Sequence, residues 1–248
     1  MTDYFLEFYK GLDRQGPGDD KYTELAYRLL EELPSSPRIL DIGCGTGKQS
    51  LVLAALTPCE ITATDIYDCL LEKMKENARN QKLKGTIKTL NASMFDLPFE
   101  DEEFDVIWSE GAIYIMGFEK GLQEWKRFLK PGGYLAVSEI SWIRKEIPDE
   151  IFSFWTTAYP EMNFVTDKIK AIENCGYRPI AHLTLPEYGW LENYYCQMES
   201  LRENFLGRFG HIEEARMIVE NELDMEMNLY RKFKPYYSYV YYIMQKPA

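Results

Sequence analysis

From about residue 38, short apolar runs rich in β-branched residues alternate with segments of helical period. Arg38–Ile42, Glu60–Asp65, Thr86–Asn91, Phe104–Ser109 and Gly133–Glu139 read as strands. Gly47–Leu56, Asp68–Gln81 and Phe118–Leu129 read as the helices between them. Near-continuous apolar strands separated by helices predict βαβ units, hence a mostly parallel sheet covered on both faces. Lys130-Pro131-Gly132-Gly133 supplies the punctuation, since proline and glycine stop a helix and turn the chain into the next strand.

On either side the pattern changes. Upstream, Lys21–Leu33 has helical spacing and follows a polar arm, Arg14-Gln15-Gly16-Pro17-Gly18. Downstream, Thr166–Cys175 reads as a helix ending at Gly176, and Pro179–Leu185 and Ser238–Gln245 read as strands. Between those strands lies an insert, Glu187 to Pro235, rich in aromatic and acidic residues, with one or two long helices interrupted near Gly207–Gly210. The expectation is a single domain over 1–248, with an arm and leading helix at 1–37 and a helical insert at about 187–235 covering the acceptor site.

Length and composition narrow the class. A chain of 248 residues suits one large α/β domain. No apolar run approaches the roughly 20 residues of a membrane span, and Met1-Thr2-Asp3-Tyr4 lacks the basic start of a secretory signal. A cytoplasmic protein is expected, with no membrane partner. Cys44, Cys59, Cys69, Cys175 and Cys196 contain no CxxC pair, which argues against a zinc site or disulfide framework and for mostly buried, reduced thiols. A net charge of −12 disfavours nucleic acid as a partner.

The strongest chemical signal is Ile39-Leu40-Asp41-Ile42-Gly43-Cys44-Gly45-Thr46-Gly47, a strand running into a glycine-rich turn and then a helix. Gly43 and Gly45, without Cβ atoms, let a ligand approach the backbone, and the helix start presents free N–H groups. Asp65 ends the next strand, where a carboxylate can accept from both hydroxyls of a ribose. A nicotinamide dinucleotide is the competing ligand, but its GxGxxG fingerprint needs glycine where this chain has Lys48. Asp41, two positions before the glycines, suits a ligand bearing an ammonium group. The balance favours S-adenosylmethionine.

Asp41–Gly47, Asp65, Leu97-Pro98-Phe99, Phe104-Asp105-Val106-Ile107 and Leu129-Lys130-Pro131-Gly132-Gly133 resemble the successive motifs of class I methyltransferases, over residues 38 to 142. Within that superfamily the chain resembles the small-molecule branch related to ubiquinone and menaquinone biosynthesis methyltransferases. The resemblance implies a Rossmann-like α/β sheet, mostly parallel with an antiparallel last strand and helices on both faces. It implies that Gly43, Cys44, Gly45 and Gly47 line the methionine and ribose portion of S-adenosylmethionine, with Asp41 near the ammonium and Asp65 and Ile66 at the ribose. Ser93 stands where the family carries an acid for the adenine amino group, and Met94 would pack on the ring. Gln15 and Gly16 of the arm are expected to close part of the cofactor site.

Because a sulfonium already makes its methyl group electrophilic, such a protein mainly aligns a small-molecule acceptor and excludes water. Glu110, Tyr114 and Glu139, at or beyond the carboxyl ends of the fourth and fifth strands, are the residues expected to face the acceptor, Glu110 also serving the cofactor. His182 and His211 lie outside the motif loops and read as structural. Glu110 and Glu119 also resemble the paired-glutamate loop of protein arginine methyltransferases, although no Thr-His-Trp segment accompanies them. Tyr188, Trp190, Tyr194 and Tyr195, with Trp142 and Trp155, are candidates for an acceptor pocket wall or for core. A protein that binds the cofactor without transferring its methyl group would carry the same motifs.

Overall fold

The computed structural model describes residues 3–79 and 81–248. Met1-Thr2, read above for a secretory signal, and Asn80, within the predicted Asp68–Gln81 helix, lie outside the described residues. Eight strands form one sheet among the described residues: β1 (Arg38–Ile42), β2 (Glu60–Asp65), β3 (Thr86–Asn91), β4 (Phe104–Glu110), β5 (Leu129–Trp142), β6 (Asn163–Phe164), β7 (Arg178–Thr184) and β8 (Tyr237–Gln245). Their order is β3-β2-β1-β4-β5-β8-β7, with β6 paired to the end of β5. β1 to β5 pair in parallel, and β8 runs antiparallel to β5 and β7.

Alternation along the strands divides the core. Ile39, Val106, Trp108, Ala136 and Tyr241 belong to one apolar cluster, and Leu40, Ile42, Ile107, Leu135 and Tyr242 to another. A helix covers each stretch of apolar strand: α2 (Asp20–Arg28), α3 (Lys48–Leu56), α4 (Asp68–Arg79), α5 (Phe118–Trp125) and α7 (Val165–Asn174). Asp19 caps α2, accepting from the amides of Lys21 and Tyr22 at 3.0 and 3.3 Å. That helix ends earlier than its spacing predicts, because Leu29 and Leu30 bond back three residues and tighten its end. β5 starts earlier than predicted: Leu129 pairs with Phe104, the register breaks over Lys130–Gly133, and Tyr134 resumes opposite Val106.

The insert consists of two helical stretches. The first runs from α8 (Glu187–Trp190) through a π-helical turn at Leu191–Tyr195 into α9 (Cys196–Phe209). The second runs from α10 (Glu213–Ile218) through a π-helical turn at Val219–Met225 into α11 (Glu226–Phe233). α1 (Tyr4–Tyr9), capped by Asp3, joins it through Phe8 and Phe205, whose ring centroids are 4.9 Å apart. The pattern above did not anticipate α1, α6 (Asp149–Ala158) or β6. Of the five free cysteines, Cys44 and Cys59 are buried while Cys69 and Cys196 are exposed, so the expectation of mostly buried thiols holds only for part of the set.

Candidate functional site

A cavity of about 310 Å³ lies outside the carboxyl ends of β1, β2 and β4. The strand order reverses between β1 and β4, and ligands in open α/β sheets bind at such a switch point. The floor is the glycine turn after β1. Gly43, Gly45 and Gly47 have φ of 71°, 54° and 81°. A Cβ on Gly43 would stand 2.5 Å from that of Ala112, and one on Gly45 would collide with the Gln15 side chain. The amides of Gly43 and Cys44 both donate to the Thr64 carbonyl, at 2.9 and 3.0 Å, which ties the turn to β2.

Asp65 lines the cavity with one carboxylate oxygen accepting from Gly45 N at 2.9 Å and the other from Tyr67 N at 3.0 Å. Burial raises its pKa above the ordinary aspartate value, and these backbone bonds oppose the rise. Ile66, Ser93 and Met94 form the adjoining wall with Tyr67 and Phe95. Ser93 Oγ accepts from Phe95 N at 3.3 Å, and the Met94 carbonyl accepts from Trp125 Nε1 at 3.4 Å.

Asp41 is placed differently from the expectation. It is fully buried beneath the turn and is not part of the cavity wall. Its oxygens accept from Ser50 Oγ at 2.6 Å and Gln49 Nε2 at 3.3 Å, and burial pushes its pKa up to about 7 against those two bonds. Gln49 does reach the cavity. Asp41 therefore holds Gln49 in place, and the expectation that Asp41 itself lies at the cavity, near a ligand ammonium, is corrected.

The opposite wall comes from the N-terminal arm, including Tyr9, Arg14, Gln15, Gly16 and Pro17. Gln15 Oε1 accepts from Thr46 N at 2.9 Å, while its Nε2 donates to the carbonyls of Tyr9 and Leu12 at 3.2 Å each. Arg14 is buried and pairs with Glu110 at 2.5 Å. Burial acts against its charge, but Glu110, Tyr241 and Asp20 more than offset this, so the guanidinium stays ionised. Glu110 also accepts from Thr23 Oγ1 at 2.7 Å, Trp108 Nε1 at 2.9 Å and Tyr241 Oη at 3.0 Å. With four donors on its two oxygens, Glu110 anchors the arm, and it also lines the cavity as expected for a residue near the cofactor.

Tyr114 lies on a 3₁₀ turn, Ile113–Ile115, lines the cavity and is 44% exposed. Glu139 does not reach the cavity. It is wholly buried, accepts from Tyr159 Oη and pairs with Lys168 Nζ at 3.2 Å, so its expected place facing the acceptor is also corrected. Its side chain points to the sheet face covered by α7, whereas Tyr239 and Tyr241 stand on the opposite face. Glu119 is exposed on the first turn of α5 while Glu110 is enclosed, so no paired-glutamate loop forms. Trp190 is core: it stacks on Tyr230 at 4.3 Å and donates to Ser238 Oγ at 3.0 Å. His182 and His211 are exposed.

Residues 40–137 match a family model described as a methyltransferase domain. The match covers 98 of the chain's 248 residues. Among curated relatives, the ubiquinone/menaquinone biosynthesis C-methyltransferase UbiE of Geotalea daltonii is 31% identical over 140 residues, 55% of this chain and 59% of that protein. Methyltransferase GfsG of Streptomyces halstedii is 29% identical over 130 residues, 52% of this chain and 46% of its own. The chain spans about half the length of the curated relatives it matches. A SAM-dependent methyltransferase from Geobacter sulfurreducens, solved with S-adenosyl-L-homocysteine, superimposes with a TM-score of 0.81 at 17% identity, covering 98% of each chain. One from Thiobacillus denitrificans, with the same ligand, gives 0.81 at 18% identity and the same coverage. The fold is thus that of the Rossmann-like methyltransferases. The methyltransferase domain supplies the glycine turn, Asp65, Met94 and Tyr114, whereas Tyr9, Arg14 and Gln15 close its cavity from outside the matched segment.

Proposed function

We propose that this chain transfers a methyl group from S-adenosylmethionine to a small-molecule acceptor. The observation that carries the reading is the glycine turn: left-handed Gly43 and Gly45 expose bare backbone to the cavity with Asp65 beside them, whereas Gly47, expected to line it too, packs on Met74 outside the cavity wall. The residues fit that cofactor. A Cβ at Gly43 or Gly45 would fill or distort the cradle, the Asp65 carboxylate can accept from ribose hydroxyls, and Ile66 and Met94 offer an apolar slot for adenine with Ser93 at its edge. Gln49, held by Asp41, and the arm residues Gln15 and Gly16 would enclose the methionine end.

When bound, the cofactor supplies an electrophilic methyl group. The chain's contribution is orientation and exclusion of water by the arm, which Arg14 and Gln15 pin over the glycine turn. Tyr114 is the residue of the matched segment that we place toward the acceptor. The reading takes the protein as cytoplasmic and without a nucleic-acid partner, supported by the net charge of −12 and the free cysteines. Among the described residues no helix is long and apolar enough to cross a membrane.

Calorimetric titration with S-adenosylhomocysteine and, separately, NAD tests the cofactor; methyl transfer to a panel of small acceptors tests the reaction. Micromolar binding of S-adenosylhomocysteine alone, followed by turnover, is the expected result. NAD binding without a response to S-adenosylhomocysteine would overturn the proposal, and tight binding with no turnover across the panel would leave a binding protein in its place.

A further inference from the structure

Behind the cavity the insert builds a second set of polar groups that the cofactor reading does not use. Tyr9 lines the cavity, and its hydroxyl donates to Glu222 at 3.0 Å and accepts from Tyr194 at 3.3 Å. Glu226, one helical turn on, accepts from Tyr195 at 2.8 Å. The two carboxylates lie four residues apart and so share a helix face. Glu222 sits in one π-helical turn and Tyr194 and Tyr195 in the other, a rare backbone form that is frequent at functional sites.

Tyr9 and Tyr114 line one end of the cofactor cavity, and Glu222 meets that space through the Tyr9 hydroxyl. Tyr239 is only partly buried although it lies on an inner strand, and its hydroxyl stands 3.8 Å from where a Cβ on Gly111 would be. Gly111 lines the cofactor cavity. Burial, then the fields of Tyr114, Glu139, Glu226 and Tyr9, hold the Tyr239 phenol above its ordinary pKa. Tyr114 likewise stands in the fields of Glu139, Glu222 and Glu226.

The space is anionic and lacks a counter-charge. The hydrogen-bond partners of Glu222 and Glu226 are tyrosine hydroxyls, and neither carboxylate forms an ion pair among the described residues. Burial pushes Glu226 up to about 7, the Tyr195 bond opposing and Glu222 adding to the rise. Half-buried carboxylates without a basic neighbour are stabilised by a cation, and tyrosine faces attract one.

Resting on the methyltransferase reading above, we propose that Tyr9, Tyr114, Tyr239, Glu222 and Glu226 form the acceptor subsite and that it takes a small cationic amine. The ammonium gives one proton through the Tyr9 hydroxyl to Glu222, which frees the nitrogen lone pair. That pair forms the new nitrogen–carbon bond as the methyl carbon–sulfur bond breaks and leaves its electrons on sulfur. The product is again a cation, and one proton leaves per turnover.

The test uses the full chain saturated with S-adenosylhomocysteine, titrated with choline and with its neutral isostere 3,3-dimethylbutan-1-ol. Choline is expected to bind about tenfold or more tighter than the isostere. The double variant Glu222→Gln/Glu226→Gln is expected to lose that preference with its S-adenosylhomocysteine affinity unchanged, which also certifies its fold. Should the double variant fail to fold, the single variant Glu222→Gln, which removes one charge and keeps an acceptor for the Tyr9 hydroxyl, is expected to weaken choline binding severalfold. Equal binding of the two probes, no choline binding to the loaded protein, or choline affinity indifferent to these substitutions would overturn the subsite. Failure to take up S-adenosylhomocysteine in the first place would instead count against the cofactor reading.

Discussion

The Arg14–Glu110 pair gives an asymmetric prediction. Both side chains are almost wholly enclosed, at 8% and 6% exposure. Glu110→Gln keeps the volume but leaves the buried guanidinium with Asp20, itself half exposed, as its remaining carboxylate. Breaking a buried pair on one side costs about 3–5 kcal/mol, because an uncompensated charge stays behind. Arg14→Met leaves Glu110 with three neutral donors, Thr23, Trp108 and Tyr241, so a smaller loss of about 1–3 kcal/mol is expected. At about 2–4 °C per kcal/mol for a chain of this size, Glu110→Gln should lower Tm by about 10 °C and Arg14→Met by roughly half as much. Scanning calorimetry on both variants and on the double variant measures this, and the double variant should lose less than the sum of the two. The reasoning fails if Arg14→Met is the more damaging change, or if Glu110→Gln shifts Tm by no more than a degree or two.

Three further outcomes follow from the cavity. Asp65→Asn removes a charged acceptor that also holds Gly45 and Tyr67, and S-adenosylhomocysteine affinity should fall by about tenfold or more in calorimetry; an unchanged Kd would remove Asp65 from the ribose contact. Gly45→Ala forces a Cβ into a left-handed position occupied by Gln15, so both Tm and S-adenosylhomocysteine affinity should drop, with Gly207→Ala, outside the cavity and where a Cβ meets nothing, as the tolerated control. Asp41 has its folded pKa raised from 3.8 to about 7, so the folded chain keeps a proton that the unfolded chain has lost, and stability falls as pH rises from about 4 to about 7. Glu226 adds to the same slope, and Asp41→Asn should flatten a plot of Tm against pH without abolishing its trend; identical slopes in variant and parent would contradict this.

What could be read from the sequence was what depends on neighbours along the chain. The βαβ core was legible because two-sided burial leaves continuous apolar runs such as Ile39–Ile42, and Gly43, Gly45 and Asp65 were legible because a strand-to-helix turn and the end of the next strand fix their surroundings locally. Asp41 and Glu139 were misplaced for one reason: a charged residue in an apolar strand was taken to face a ligand, whereas both are wholly buried and partnered from other elements, Asp41 by α3 and one oxygen of Glu139 by Tyr159 and by Lys168 of α7. Period and composition do not encode such partners. The same limit applies to Arg14, whose partner is 96 residues away, and to Tyr9, whose partner is 213 away. Even so, Tyr9 left a trace in the sequence: Asp3 followed by Phe5, Leu6, Phe8 and Tyr9 is an N-cap before an apolar stripe, which marks a short helix with a buried face. That helix and the insert fall outside the matched segment 40–137, yet they supply Tyr9, Glu222 and Glu226. The matched segment therefore carries the glycine turn and Asp65 proposed for the cofactor, while of the five residues proposed for the acceptor only Tyr114 lies within it.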